Sequence, residues 1–95
     1  MNRPIRLLSA ARRDIGRLVA FLRDKSPAAA NKVAAKLSRA ILSLDRFVDR
    51  GRRGPDTGLR ELVVRFGRDA YIVQYRVDDS EVIIARVFHS KEDRR

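Results

Sequence analysis

His89 is the single histidine of this 95-residue chain and the side chain best suited to acid–base chemistry near neutral pH, because the ordinary pKa of histidine is about 6.5. Cleavage of RNA needs a base for the 2′-hydroxyl, an acid for the leaving oxygen and cations for the phosphate. His89 could be the acid or the base, and cations could come from Arg68, Arg86 and Lys91. Residue type alone favours a simpler interpretation, a histidine that ends a strand and makes one hydrogen bond.

The chain has too few suitable residues for most other catalytic sites and for metal sites. The chain has no cysteine, one histidine and no clustered carboxylates, which excludes disulfides and leaves too few ligands for a zinc site. No nucleophile motif accompanies His89, and no apolar run approaches the roughly 20 residues that a membrane span needs. We therefore expect a cytoplasmic protein without a cofactor or a metal.

Positive charge is concentrated in the first half of the chain. Lysine and arginine number 22 against 12 acidic residues, a net charge of +10 at pH 7. Residues 1–50 hold twelve basic and four acidic side chains and contribute +8. Such a half attracts an acidic partner, either a nucleic acid or a protein. A well-solvated surface rich in arginine has the same composition, so charge alone does not distinguish a surface that binds an acidic partner from one that is only solvated.

Residues 70–89 predict the two strands that place His89. Two runs of β-branched and aromatic residues flank the polar turn Asp78–Ser80, which is typical of a β-hairpin. Strict alternation in the second strand puts Val82, Ile84, Arg86 and Phe88 on one face and Ile83, Ala85, Val87 and His89 on the other. Apolar residues on both faces predict strands near the middle of a sheet.

Two helices precede this hairpin. Apolar residues at helical spacing predict a helix over Ala10–Arg23 with Ser9 as its N-cap. Ser26-Pro27 opens a second helix, and its apolar stripe continues to Val48. The short break between the two predicts an antiparallel helical hairpin.

The remaining segments complete the order. A short strand over Pro4–Leu8 comes first, and the loop Arg50–Gly58, weakly suited to phosphate binding, leads into a strand over Leu59–Phe66. Lys91–Arg95 is a charged tail that we expect to be mobile. The result is one α+β domain over residues 1–95, ordered β-α-α-β-β-β. In this domain the helical hairpin packs on one face of a small sheet that ends in an antiparallel meander.

Several segments of the chain follow one another in a recognisable order and spacing. They are Ser26–Ala30, the Gly-Arg loop, Gly58–Leu62, Tyr71–Val77 and Ala85–His89. Together they resemble the RelE/ParE superfamily of toxins from bacterial type II toxin–antitoxin modules, over nearly the whole chain. The resemblance implies the same β-α-α-β-β-β fold.

The resemblance implies one of two toxic activities. RelE-like members cut mRNA in the ribosome, whereas ParE-like members poison DNA gyrase without ribonuclease chemistry. In the ribonuclease branch an arginine opens the central strand, where this chain has Tyr71, and a tyrosine often follows the terminal histidine, where it has Ser90. His89 itself matches. This incomplete set of ribonuclease residues favours a ParE-like gyrase inhibitor, which would not be an enzyme.

Two alternatives stay open. If the chain is a ribosome-dependent mRNA endonuclease, its catalytic residues are expected to be His89, Arg86 and Arg68. A stand-alone basic module that binds nucleic acid ranks behind both toxin hypotheses, since the sequence shows no aromatic platform and no reading helix.

The resemblance also implies a partner. This is a cognate antitoxin, ParD-like or similar, whose C-terminal segment wraps the toxin along the helical hairpin. Operator DNA would be reached only through that complex. A basic face with an aromatic residue suits an acidic segment with apolar anchors. The expected antitoxin-binding residues are Arg13, Arg17, Phe21, Lys32 and Lys36.

Overall fold

A computed structural model describes residues 3–53 and 58–92. The elements in chain order are β1 (Ile5–Leu7), α1 (Ser9–Arg23), α2 (Pro27–Leu42), a short 3-10 helix (Ser43–Asp45), β2 (Arg52–Arg53), β3 (Arg60–Phe66), β4 (Asp69–Val77) and β5 (Val82–His89). The strands form one sheet in the order β1-β5-β4-β3-β2. β1 runs parallel to β5, and the other pairs are antiparallel. The predicted α+β architecture, with its helical hairpin and C-terminal meander, is confirmed.

One strand was not predicted. Arg52 and Arg53 pair with Glu61 and Arg60 as the two-residue strand β2, inside the segment expected to be a loop. Two residues are too few to produce an alternating pattern, so the sequence carries no signal for this strand. Residues 54–57 of the predicted loop lie outside the described residues.

The helix boundaries follow the predictions with two differences. Ser26 caps α2 as expected, since its Oγ accepts a hydrogen bond of 3.2 Å from the Ala29 N–H. Ser9 is instead the first residue of α1, and Leu8 precedes it in an extended conformation without a side-chain cap. Val48 packs against the core from beyond the 3-10 helix and not from α2.

The hydrophobic core lies between the helical hairpin and the sheet. α1 buries Ala11, Asp14 and Leu18, and α2 buries Val33 and Leu37 among others, at the spacing that places side chains on one helical face. In the part of the chain that the structure describes, neither helix is long and apolar enough to cross a membrane.

A β-bulge interrupts the pairing of β4 with β5. Gln74 pairs with Arg86, but the next residue, Tyr75, pairs with Ile84. Ala85 is therefore an extra residue on β5. A bulge of this kind bends the strand and shifts the alternation of its side chains by one position.

The bulge decides which way the end of β5 faces. Val87 joins Ile84 in the core on the helix side, and His89 lies on that side opposite Tyr71. Arg86 and Phe88 face away from the helices. The predicted face that grouped Ile84 with Arg86 and Phe88 is therefore wrong, because a strict two-residue period cannot show an inserted residue.

Candidate functional site

A groove of about 490 Å³ opens between α1 and the ends of β4 and β5. We name it the α1 groove. Its apolar wall comes from Leu18, Phe21, Leu22 and Tyr71, and its polar residues are Arg17, Asp69, His89, Lys91 and Glu92. An apolar wall rimmed by charges suits a partner that offers both apolar and charged side chains.

Both ring nitrogens of His89 have partners in this groove. Nε2 lies 3.1 Å from a carboxylate oxygen of Asp69, and Nδ1 accepts a hydrogen bond of 3.1 Å from the Lys91 N–H. Because Nδ1 accepts a hydrogen bond, the proton of the neutral ring lies on Nε2. The Nε2–H group then donates a hydrogen bond to Asp69. The ring also meets Tyr71 edge-on, with 5.3 Å between the centroids. A proton transfer at His89 would have to displace one of these partners.

The other two residues of the predicted ribonuclease set do not join His89. Arg86 donates hydrogen bonds of 2.7 and 3.0 Å to Asp14, and its guanidinium lies 4.8 Å from the ring centroid of Phe88. Arg68 is exposed in the turn between β3 and β4. Neither arginine lines the α1 groove.

Asp14 is a buried residue next to this region whose role the sequence analysis missed. It is 4% exposed and also accepts a hydrogen bond of 2.9 Å from the backbone N–H of Val87. β1 pairs only with residues 82–84 of β5, so this carboxylate satisfies a donor of β5 beyond the end of β1. Burial by itself raises the pKa of Asp14, but the hydrogen bonds from Arg86 and Val87 outweigh it and lower the pKa. One signal was available, since Asp14 follows Ala11 by three positions on the apolar stripe of α1.

The start of the C-terminal tail is attached to the groove. Arg17 forms an ion pair with Glu92, and Glu92 accepts a hydrogen bond of 2.9 Å from the His89 N–H. Burial opposes ionisation of Glu92, but the hydrogen bonds from Arg17 and His89 outweigh it and lower the pKa of this carboxyl. Glu92 is therefore bound at the edge of the groove, and the mobility of the tail stays a prediction. Residues 93–95 lie outside the described residues.

The predicted antitoxin-binding residues fall into separate regions. Arg17 and Phe21 line the α1 groove, and Phe21 is 63% exposed with the Lys25 ammonium 4.9 Å from its ring centroid. Lys36 lines a different groove. The remaining two, Arg13 and Lys32, are exposed on α1 and α2 and line neither groove.

The second groove, of about 250 Å³, lies between the end of α2 and the edge of β3. We name it the α2 groove. It is lined by Lys36, Arg39, Ala40, Arg50, Val63, Val64 and Arg65. Four of these seven residues are cationic and none is acidic.

Tyr75 positions the loop that carries Arg50. Its fully buried hydroxyl donates a hydrogen bond of 2.7 Å to the Val48 carbonyl and accepts one of 2.8 Å from the Gly51 N–H. Arg50 lies between these two attachment points and donates a hydrogen bond of 2.6 Å to Ser43 Oγ. The backbone on both sides of this arginine is therefore tied to the core.

Comparison with known proteins gives sequence relatives over most of the chain. Residues 5–94 match the family model described as the ParE toxin of type II toxin–antitoxin system, parDE. Toxin RelE1 of Caulobacter vibrioides is 39% identical over 85 residues, which cover 88% of this chain and 89% of that protein. Toxin RelE3 of the same bacterium is 39% identical over 84 residues, which cover 88% and 90%.

Solved structures share the fold. A chain of the chromosomal ParDE system from P. aeruginosa aligns with a TM-score of 0.81 at 19% identity, covering 92% of this chain and 95% of that one. A chain of the toxin–antitoxin complex RelBE2 from Mycobacterium tuberculosis aligns with a TM-score of 0.62 at 26% identity, covering 94% and 99%. With the family match over residues 5–94, these findings establish that the chain belongs to the ParE toxin family, within the RelE/ParE superfamily of type II toxin–antitoxin toxins.

Proposed function

We propose that this toxin inhibits DNA gyrase and does not cleave RNA. The carrying observation is that the two predicted ribonuclease arginines, Arg68 and Arg86, do not converge on His89. Arg86 is bound to Asp14, and Arg68 does not line the α1 groove. Tyr71, at the position where the ribonuclease branch has an arginine, is 3% exposed and packs against the His89 ring. Lys91 shares the groove with His89 and Arg17 is paired there with Glu92, so two of the three predicted cations are missing from the place where a pentacovalent phosphate would need them.

The second candidate function is a ribosome-dependent mRNA endonuclease. The observation in its favour is the imidazole–carboxylate pair of His89 and Asp69 at 3.1 Å, which could orient the ring for proton transfer. The names of the Caulobacter relatives, RelE1 and RelE3, point the same way.

One experiment separates the two activities. The purified toxin is added to gyrase with relaxed plasmid, and in parallel to ribosomes programmed with mRNA. Loss of supercoiling or accumulation of cleaved plasmid, with intact mRNA, supports the gyrase proposal. Cut mRNA with undisturbed supercoiling contradicts it.

The proposal includes an antitoxin that binds the helical hairpin. The ParDE and RelBE2 structures are of toxin–antitoxin systems, which supports a partner of this kind here. The exposed Phe21 ring and the Arg17 guanidinium share the α1 groove, so an acidic antitoxin segment would place an apolar side chain beside Phe21. Toxin and antitoxin would meet in the cytoplasm, and operator DNA would be contacted by the antitoxin.

A further inference from the structure

The α2 groove brings four cations together without a counter-charge. Lys36, Arg39, Arg50 and Arg65 line one cavity, and none of them forms an ion pair with a carboxylate within residues 3–53 and 58–92. Some arginines elsewhere on the molecule have acidic partners. Examples are Arg6 with Glu81, Arg60 with Asp49 and Arg86 with Asp14. Convergent like charges repel each other, so a bound anion would relieve an unfavourable arrangement.

The shape and walls of the groove suit a phosphate group. A volume of about 250 Å³ corresponds to about eight water molecules, which leaves room for a tetrahedral phosphate and part of its hydration. Val63 and Val64 contribute apolar atoms to the lining at the edge of β3, which reduces the screening of charges beside them. Arginine guanidinium groups donate paired hydrogen bonds to phosphate oxygens. Two of the cations, Lys36 and Arg39, lie three positions apart on the same face of α2.

From these features we propose that the α2 groove binds a backbone phosphate of double-stranded DNA, as a contact made by the toxin itself. A polyanion fits better than a single ion, because exposed Lys32 continues the row of cations one turn before Lys36 along α2, about 6 Å away along the helix axis. The lining offers no aromatic ring on which an unpaired base could stack. It also offers no side-chain acceptor for a 2′-hydroxyl. The contact is therefore made to the sugar–phosphate backbone without sequence preference.

The inference does not depend on gyrase being the toxic target, and its test uses the full chain alone. A fluorescently labelled mixed-sequence 20-base-pair duplex is titrated with toxin, and binding is followed by anisotropy over a range of salt concentrations. The double variant Arg39→Gln/Arg65→Gln removes two charges from the groove. The control Arg12→Gln/Arg23→Gln removes two charges from exposed positions of α1, so both variants have the same net charge.

The groove variant is expected to bind about tenfold more weakly at low salt. Its slope of log affinity against log salt should fall by about 1 to 2, since each phosphate contact contributes about 0.9. The control should stay within about twofold of wild type. Circular dichroism and melting curves of both variants confirm that they are folded.

Two results would overturn the proposal. One is an equal loss in both double variants, which would mean that net charge and not the groove binds DNA. The other concerns polyglutamate as a model of an acidic protein segment. If polyglutamate loses affinity in the groove variant while the duplex binds all three proteins alike, then the groove binds an acidic protein segment and not DNA.

Discussion

The carboxylate of Asp14 and the guanidinium of Arg86 join α1 to the bulged half of β5 through hydrogen bonds of 2.7 and 3.0 Å. The two residues are 72 positions apart in the sequence. One member of the pair is buried in the helical layer and the other faces the open side of the sheet. The connection passes around the edge of β5 at the place where β1 has ended.

Asp14→Ala should lower the free energy of unfolding by about 2–3 kcal/mol, because the buried Val87 N–H loses its acceptor and Arg86 loses its ion-pair partner. Asp14→Asn keeps a carbonyl acceptor for Val87 and should cost less. Urea denaturation measures both. Asp24→Ala, at an exposed position, is the control, and an Asp14→Ala midpoint equal to that of the control would contradict the role given to Asp14.

The stability of the toxin should fall in acid. The pKa values of Asp14 and Glu92 are both lowered in the folded chain, so their contribution is complete above their unfolded values of about 4 and is lost as the pH falls through the lower folded values. Unfolding free energies between pH 6 and 2.5 test this. The Asp14→Asn/Glu92→Gln variant should show a shallower dependence.

Part of the acid dependence should remain in that variant. The carboxylate of Asp78 accepts hydrogen bonds from the Ser80 and Glu81 N–H groups, which lower its pKa in the folded chain. If the Asp14→Asn/Glu92→Gln variant kept the full pH dependence of the wild-type unfolding free energy, Asp14 and Glu92 would not be the groups responsible.

Tyr75→Phe should destabilise the protein by about 2 kcal/mol, since it leaves the buried Gly51 N–H and the Val48 carbonyl without this partner. The matched control is Tyr71→Phe. Tyr71 is also buried, and its hydroxyl forms no hydrogen bond within the described ranges. Thermal melting compares the two variants. Equal melting temperatures would mean that the Tyr75 hydroxyl does not hold this loop.

Gly51→Ala tests the same attachment from the other side. A Cβ at this position would lie 2.6 Å from Tyr75 Cε1 and 3.0 Å from the backbone carbon of Glu61. Because Tyr75 is fully buried it cannot swing aside, so the loop must move and the melting temperature should fall. Gly16→Ala is the control, since nothing lies within 4 Å of a Cβ there, and alanine is the better helix former.

Phe21→Ala should speed dissociation of the antitoxin at least tenfold, with little change in toxin stability, because the ring is mostly exposed in the free chain. Charge reversal at Arg17 or Lys36 should instead slow association. Surface plasmon resonance with the proposed antitoxin gives both rates. Arg76→Glu, exposed on the far face of the sheet, is the control.

The rates also locate the partner, because Arg17 and Lys36 line different grooves. Slower association for Arg17→Glu alone confines the antitoxin to the α1 groove. Slower association for both variants means that it spans the hairpin, and no effect of either places the interface elsewhere.

His89→Ala distinguishes the two toxic activities within a single variant. A gyrase inhibitor should keep its inhibition of supercoiling within about twofold. A ribonuclease that uses this imidazole should lose about a hundredfold or more of its cleavage rate. Circular dichroism and a melting curve of the variant check that it is folded.

Local sequence patterns predicted most of the fold and less of the site. The Ser26-Pro27 start and the spacing of apolar residues define the helical hairpin, since both depend on neighbours within one or two turns. The role of Asp14 depends on Arg86 and Val87, more than 70 positions away, and no local pattern reports such a pairing. The grooves depend on which residues converge in three dimensions. This is why Arg17 and Lys36, predicted as one face, lie apart.

The extra residue Ala85 shifts the alternation of side chains along β5 by one position. Deleting it would leave Phe88 and His89 on their present faces, because the bulge already absorbs this residue. Keeping Ala85 but pairing it regularly with β4 would instead turn Phe88 toward the helices and move His89 to the side where Arg86 now lies. Two toxins with the same residues in the same order, one with Ala85 bulged and one with Ala85 paired, would therefore present their histidine to opposite surfaces. Where two members of this family share the extra residue, an aligned histidine has the same surroundings only if the bulge is also shared.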